Sequence, residues 1–195
     1  MIMQDQNAAI AAILDLPGRT IVAVDGHSAS GKTTFAQALA ARAGSSTVLQ
    51  LDDFYKPMPS EERAVLTPAE GAAQFFDIDR LATQALAPLR AGRDARFRAY
   101  DWATDRLGEW RDAPVTQLVI VEGVHAADLR LRKFLDVVVF VTTAPGARWE
   151  RMIARGQNDP DQIRRWLAAE DWYFAQHGLP MATDWVVSGG GHLPE

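Results

Sequence analysis

Gly26-His27-Ser28-Ala29-Ser30-Gly31-Lys32-Thr33-Thr34 sets two glycines, a lysine and two threonines at a spacing suited to one kind of chemistry. The glycines let main-chain N–H groups turn inward around oxyanions, and a helix opening near Lys32 adds the positive end of its dipole. In such a P-loop, Lys32 reaches the β- and γ-phosphates and the Thr33 hydroxyl ligates Mg²⁺. Ser28, Ala29, Ser30, Gly31, Lys32, Thr33 and Thr34 are then the candidate lining of a triphosphate site, with Gly26 making the turn into it.

Three further groups bear on what the phosphate is passed to. Asp52 and Asp53, in Leu51-Asp52-Asp53-Phe54-Tyr55-Lys56-Pro57, follow an apolar run. A carboxylate there either takes the proton of an attacking hydroxyl or holds Mg²⁺ through water; the alternative is an Asp pair capping a turn before the prolines. Glu122, directly after Leu118-Val119-Ile120-Val121, is placed to orient Mg²⁺ or its water shell. Arg148, Arg151 and Arg155 recur at helical spacing, with Gly156 as a hinge beside the last, and can close over a triphosphate. The histidines carry blander readings: His27 is a loop residue, His125, three residues after Glu122, is placed either to line the cleft or, the favoured reading, to serve a structural role, and His177 and His192 show no partner pattern.

These residues need a scaffold. Ile21 to Val24, Thr47 to Leu51, Thr116 to Val121, Val137 to Val141 and Trp185 to Val187 are apolar runs, several of them continuous, as in strands buried on both faces. Helical patterns lie between them, over 7–14, from the P-loop to about Gly44, over 80–90 and over 161–176, where Ile163, Trp166, Leu167, Glu170, Tyr173 and Phe174 share a stripe. The alternation predicts an α/β fold with a five-stranded parallel sheet and helices on both faces. Residues 95–114 break the alternation and predict a small β-hairpin standing off the sheet, and 188–192 read as a frayed tail.

The chain has 195 residues, 48% of them hydrophobic, enough for one domain over 1–195 with a full core. A net charge of -5 argues against a nucleic-acid wrapper, and no apolar run is long enough to span a membrane. Without a secretory signal, a cytoplasmic protein is expected. Cysteine is absent, which removes thiolate chemistry and disulfides. Lysine occurs only at 32, 56 and 133.

Together these residues resemble the uridine kinase and phosphoribulokinase group of P-loop kinases, over roughly Thr20 to Val187. The most specific pieces are Gly26 to Thr34, Asp52-Asp53-Phe54-Tyr55, Arg98-Ala99-Tyr100-Asp101-Trp102, Val121-Glu122-Gly123-Val124 and the spaced arginines. The resemblance implies a three-layer P-loop NTPase fold, ATP and Mg²⁺ as ligands, Asp52 as catalytic base with Lys32 and Arg155, and metal contacts from Thr33, Glu122 and Asp52. It implies a nucleotide contact from Arg151 and acceptor contacts from Asp52, Tyr55, Asp77, Tyr100 and Glu122. The hairpin would be the acceptor flap and the stretch from 148 to 162 the lid. The sequence departs from the family where uridine and cytidine kinases place a base-reading histidine: Ala103, Thr104 and Asp105 stand there. Arg155-Gly156 replaces an Arg-Asp pair in the lid, and Asp53 replaces a small polar residue, adding a charge that would repel an anionic acceptor.

The expected activity is transfer of the γ-phosphoryl group of ATP to a hydroxyl of a small molecule, with uridine or a related nucleoside as the favoured acceptor. Pantothenate, glycerate or a sugar are rivals. A nucleotide switch that passes phosphate to water is disfavoured, because no Asn-Lys-x-Asp guanine motif occurs and the strand-end acid is a lone Glu. A binding protein that has lost catalysis is the third reading, and a homo-oligomer is left open.

Overall fold

In the computed structural model, described over residues 3–156 and 159–190, five parallel strands run in the order β2-β5-β1-β6-β7. They are β1 (Thr20–Asp25), β2 (Ser46–Gln50), β5 (Leu118–Glu122), β6 (Val137–Thr142) and β7 (Trp185–Ser188). The two central ones, β1 and β5, are buried at every position, which is why their sequences are apolar without alternation.

Odd and even strand positions face different layers. Ile21, Ala23, Val119 and Val121 pack with Leu81, Leu86 and Leu89 from the helical run 78–90, which comprises α5 (Ile78–Arg80), a π-helical stretch Leu81–Leu86 and α6 (Ala87–Arg90). Val22, Val24, Ile120 and Val139 pack instead with Ile10 and Ile13 of α1 (Gln6–Leu14) and with Phe35 and Leu39 of α2 (Lys32–Arg42). Each fully buried aliphatic side chain contributes about 1.5–3 kcal/mol, so this double coverage is the main stabilisation of the sheet. The expected α/β sheet with helices on both faces is therefore present.

Outside the sheet, β3 (Ala95–Asp101) and β4 (Arg106–Ala113) form the antiparallel hairpin. A third apolar cluster joins α4 (Pro68–Gln74) to α8 (Pro160–Gln176), around Phe75, Ala169, Tyr173 and Phe174. Two short helices, α3 (Ser60–Ala64) and α4, fill a stretch that the sequence pattern leaves unassigned. Thr67 and Glu70 form a reciprocal capping box that starts α4.

The reading of 188–192 as a frayed tail is corrected over its described part. Ser188 ends β7, the Gly189 amide donates to Thr142 O at 2.8 Å, and Gly189 lies against the phosphate loop. A Cβ on Gly189 would come within 1.5 Å of Ser30 O, and one on Gly31 within 2.9 Å of Gly189 O. Two glycines therefore let β7 support the loop from beneath. Gly191 and His192 lie outside the described residues. So do residues 157–158, in the middle of the expected lid, between α7 (Pro145–Arg155) and α8.

Candidate active site

The loop from Gly26 to Gly31 starts where β1 ends. Gly26 has φ 144°, and a Cβ there would meet Val141 O at 2.2 Å, so only glycine fits. Gly31, at φ 100°, caps α2 and turns the chain into the helix. Asp25 anchors the loop from below. Its carboxylate accepts from the amides of Gly26 (2.7 Å) and Ala127 (2.9 Å) and from the Tyr173 hydroxyl (2.9 Å). Burial nevertheless raises its pKa from 3.8 to about 6.

Lys32 is buried and folds back so that its ammonium donates to His27 O at 2.9 Å. The Thr33 hydroxyl donates to Glu122 at 3.2 Å, which joins the start of α2 to the end of β5. Burial pushes the Glu122 carboxyl up, partly offset by Lys32. Asp52 opens toward the same space from the turn after β2; desolvation raises its pKa, and Lys32 and Arg155 pull the other way.

One cavity of about 670 Å³ connects these groups. Its phosphate side is made by Ser28, Ala29, Gly31, Lys32, Thr33 and Thr34, with Asp52, Glu122 and Arg155 around them. Its far wall is aromatic, from Tyr55, Phe75, Phe76, Trp102 and Trp166. The Tyr55 ring anchors that wall, stacking with Phe75 at 5.9 Å between centroids and lying 4.8 Å from Trp102. The Tyr55 hydroxyl accepts from Trp166 Nε1 at 3.3 Å.

Other expected site residues lie elsewhere. Gly26 and Ser30 are buried beneath the loop surface. Arg151 donates to Ala29 O at 3.1 Å from behind the loop. Asp77 caps α5, accepting from the Arg80 amide at 3.0 Å, and does not line the cavity. Tyr100 packs edge-on to Tyr55 and donates its hydroxyl to Asp105, which Arg63 also binds at 3.0 Å. Asp53 does not add free negative charge as expected: Arg111 of the hairpin binds it at 2.6 and 2.7 Å, so its charge is matched and it ties the hairpin to the turn after β2.

Two features escape a reading of local motifs, while a third, His125, combines the structural role expected of it with a place on the cavity wall. Glu170 reaches the loop from α8 and accepts from the Ser28 amide at 2.9 Å. A carboxylate on the apolar stripe of 161–176 was the available signal. His125 is 2% exposed, stacks on Tyr173 at 3.8 Å between centroids and lines the cavity; burial lowers its pKa to about 3, so the ring is neutral. The Arg63–Asp105–Tyr100 cluster adds Arg63, 42 positions from Asp105, to a pair only 5 positions apart, and nothing local announces the distant partner.

Among the described residues no three acidic, His or Cys side chains form a metal cage of their own. The donor set here is a hydroxyl beside a carboxylate, and it fits Mg²⁺, which binds through one or two protein oxygens and completes its shell with phosphate and water.

The family model of the phosphoribulokinase / uridine kinase family matches residues 21–161. Uridine kinase of Chloroflexus aurantiacus is 30% identical over 188 residues, covering 89% of this chain and 88% of its own. Uridine kinase of Latilactobacillus sakei is 31% identical over 185 residues, covering 88% and 86%. A solved protein of Bacillus stearothermophilus, described as a possible uridine kinase, matches with a TM-score of 0.74 at 24% identity, covering 94% of this chain and 97% of that one. The structural likeness speaks for the fold, and the sequence relatives speak for descent. A phosphate loop, a strand-end acid and an aromatic pocket sharing one cavity thus sit in a chain that belongs to the phosphoribulokinase / uridine kinase family, ATP-dependent phosphotransferases that act on hydroxyl groups.

Proposed function

We propose that this kinase phosphorylates a nucleoside such as uridine, with Asp52 as general base. The observation that carries the reading is that Lys32 and Asp52 share one cavity with a wall of aromatic rings. Rings of that kind take a flat heterocycle on their faces, while Asp52 meets a sugar hydroxyl. The Asp52 carboxylate accepts the hydroxyl proton as the oxygen attacks the γ-phosphorus, and the bond to the bridging oxygen breaks to release ADP. The loop amides, Lys32 and Arg155 hold the charge of the transferring group. Thr33 and Glu122 would hold Mg²⁺, which would neutralise charge on the β- and γ-phosphate oxygens.

A second reading, an acidic acceptor, has specific support. Asp53 is matched by Arg111, so it raises no barrier to an anion. A neighbouring cavity of about 300 Å³ shares Phe75 and Trp166 with the main one and is lined by Arg63 and Arg165. Arg63 Nε is buried without a partner among the described residues. Asp105, the acid of the Ala103-Thr104-Asp105 stretch that stands where the resembled uridine kinases carry a base-reading histidine, is committed to Arg63 and Tyr100.

ADP release over a panel of uridine, cytidine, pantothenate, glycerate and simple sugars separates the two. A kcat/KM for nucleosides about a hundredfold above the carboxylates supports the first reading, and the reverse order replaces it with the second.

A further inference from the structure

Glu170 has no part in the reaction above, yet it is 6% exposed and lines the nucleotide side of the cavity. Its Oε2 accepts from the Ser28 amide at 2.9 Å, and its Oε1 accepts from the Ser28 hydroxyl. Lys32 of α2 and Arg148 of α7 face it, but neither forms an ion pair with it among the described residues. The next residue, Asp171, binds His27 of the loop at 2.8 Å. Across the cavity Asp52 and Glu122 face the same lysine. One ammonium group is thus shared among several carboxylates, and Glu170 is the one that holds loop donors.

Inward-facing N–H groups and hydroxyls of a P-loop are what phosphate oxygens bind. A carboxylate bonded to two of them satisfies the same donors with the same charge sign. We propose that Glu170 competes with the terminal phosphate of the nucleotide for the amide and hydroxyl of Ser28, and so sets how strongly the loop prefers triphosphate to diphosphate. The claim rests on the loop being the ATP site. It makes Glu170 a positioning residue: it acts through Ser28, and nucleotide entry requires its carboxylate to leave or to take up a proton. Burial already favours the proton.

The test is calorimetric binding of MgATP and MgADP to the full chain and to Glu170→Gln. The amide keeps the shape and removes the charge. It is expected to tighten MgATP about tenfold near pH 8 and to leave MgADP within about twofold. Equal changes for both nucleotides, or no tightening, would overturn the proposal. Should that variant fail to fold, Glu170→Asp, whose shorter side chain draws the carboxylate back from the Ser28 amide and hydroxyl, should raise the ratio of MgATP to MgADP affinity, and an unchanged ratio overturns the proposal. Absence of any MgATP binding by the wild type would instead sink the reading of the loop itself.

Discussion

The half of the cavity proposed to bind phosphate and the half proposed to take the acceptor are built by different means. The first is main chain: a loop held in shape by Gly26 and Gly31, tied down by Asp25 and supported by Gly189. The second is side chain: rings from the turn after β2, the segment after α4, the hairpin and α8, locked by Arg63 and Asp105. Backbone geometry specifies a charge and a distance and serves any nucleotide user. Side chains brought from four elements can be exchanged one at a time, which is where substrates are told apart.

The sharpest way to test that division is to remove the group that bridges the halves. Asp52→Asn should lower kcat by about 10²–10⁴, the usual contribution of a positioned base, with MgATP affinity nearly unchanged by calorimetry. Loss of MgATP binding instead would place Asp52 in the nucleotide half. Next in size, Gly189→Ala forces a Cβ to within 1.5 Å of Ser30 O. Urea denaturation should show a loss of about 3 kcal/mol or more, and MgATP binding should fall with it. On the other side, Arg63→Ala frees Asp105 and Tyr100. The acceptor KM should rise about tenfold while the KM for ATP stays within about twofold. Equal shifts in both would mean the halves are not separable.

The smallest change tests the anchor beneath the loop. Tyr173→Phe removes one of three bonds to Asp25 and should cost about 1 kcal/mol in urea. The pH dependence carries a definite sign. Asp25 titrates at about 6 rather than 3.8, so the folded state binds more protons than the unfolded state between those values. Its contribution to stability therefore falls as pH rises from about 4 to about 6, then levels. Because the Tyr173 bond lowers the Asp25 pKa, the Phe variant should lose stability over a wider pH span.

The same division explains what could be read from the chain. The five strands, α2, the hairpin and the loop are local patterns, and all appear within a few residues of their expected bounds. Residues 55–77 were opaque, although Thr67-Pro68-Ala69-Glu70 is a helix-start signature in itself. The acceptor half was legible only as isolated aromatic and acidic residues. Asp77 and Tyr100 are not among the residues that line the cavity; their side chains bond to the Arg80 amide and to Asp105. Asp53 could not be judged without Arg111, 58 positions away, nor Glu170 without Ser28, 142 positions away. Pairings at such separations depend on topology, which composition and periodicity do not encode.

The contact of Gly189 with Ser30 and Gly31 also orders events on the ribosome. The surface that supports residues 26–34 is translated some 155 residues after them. At ordinary elongation speeds that gap lasts on the order of ten seconds or more. A nascent chain paused within it carries every residue of the loop and still lacks its floor, so the loop acquires its support only once Gly189 has been added.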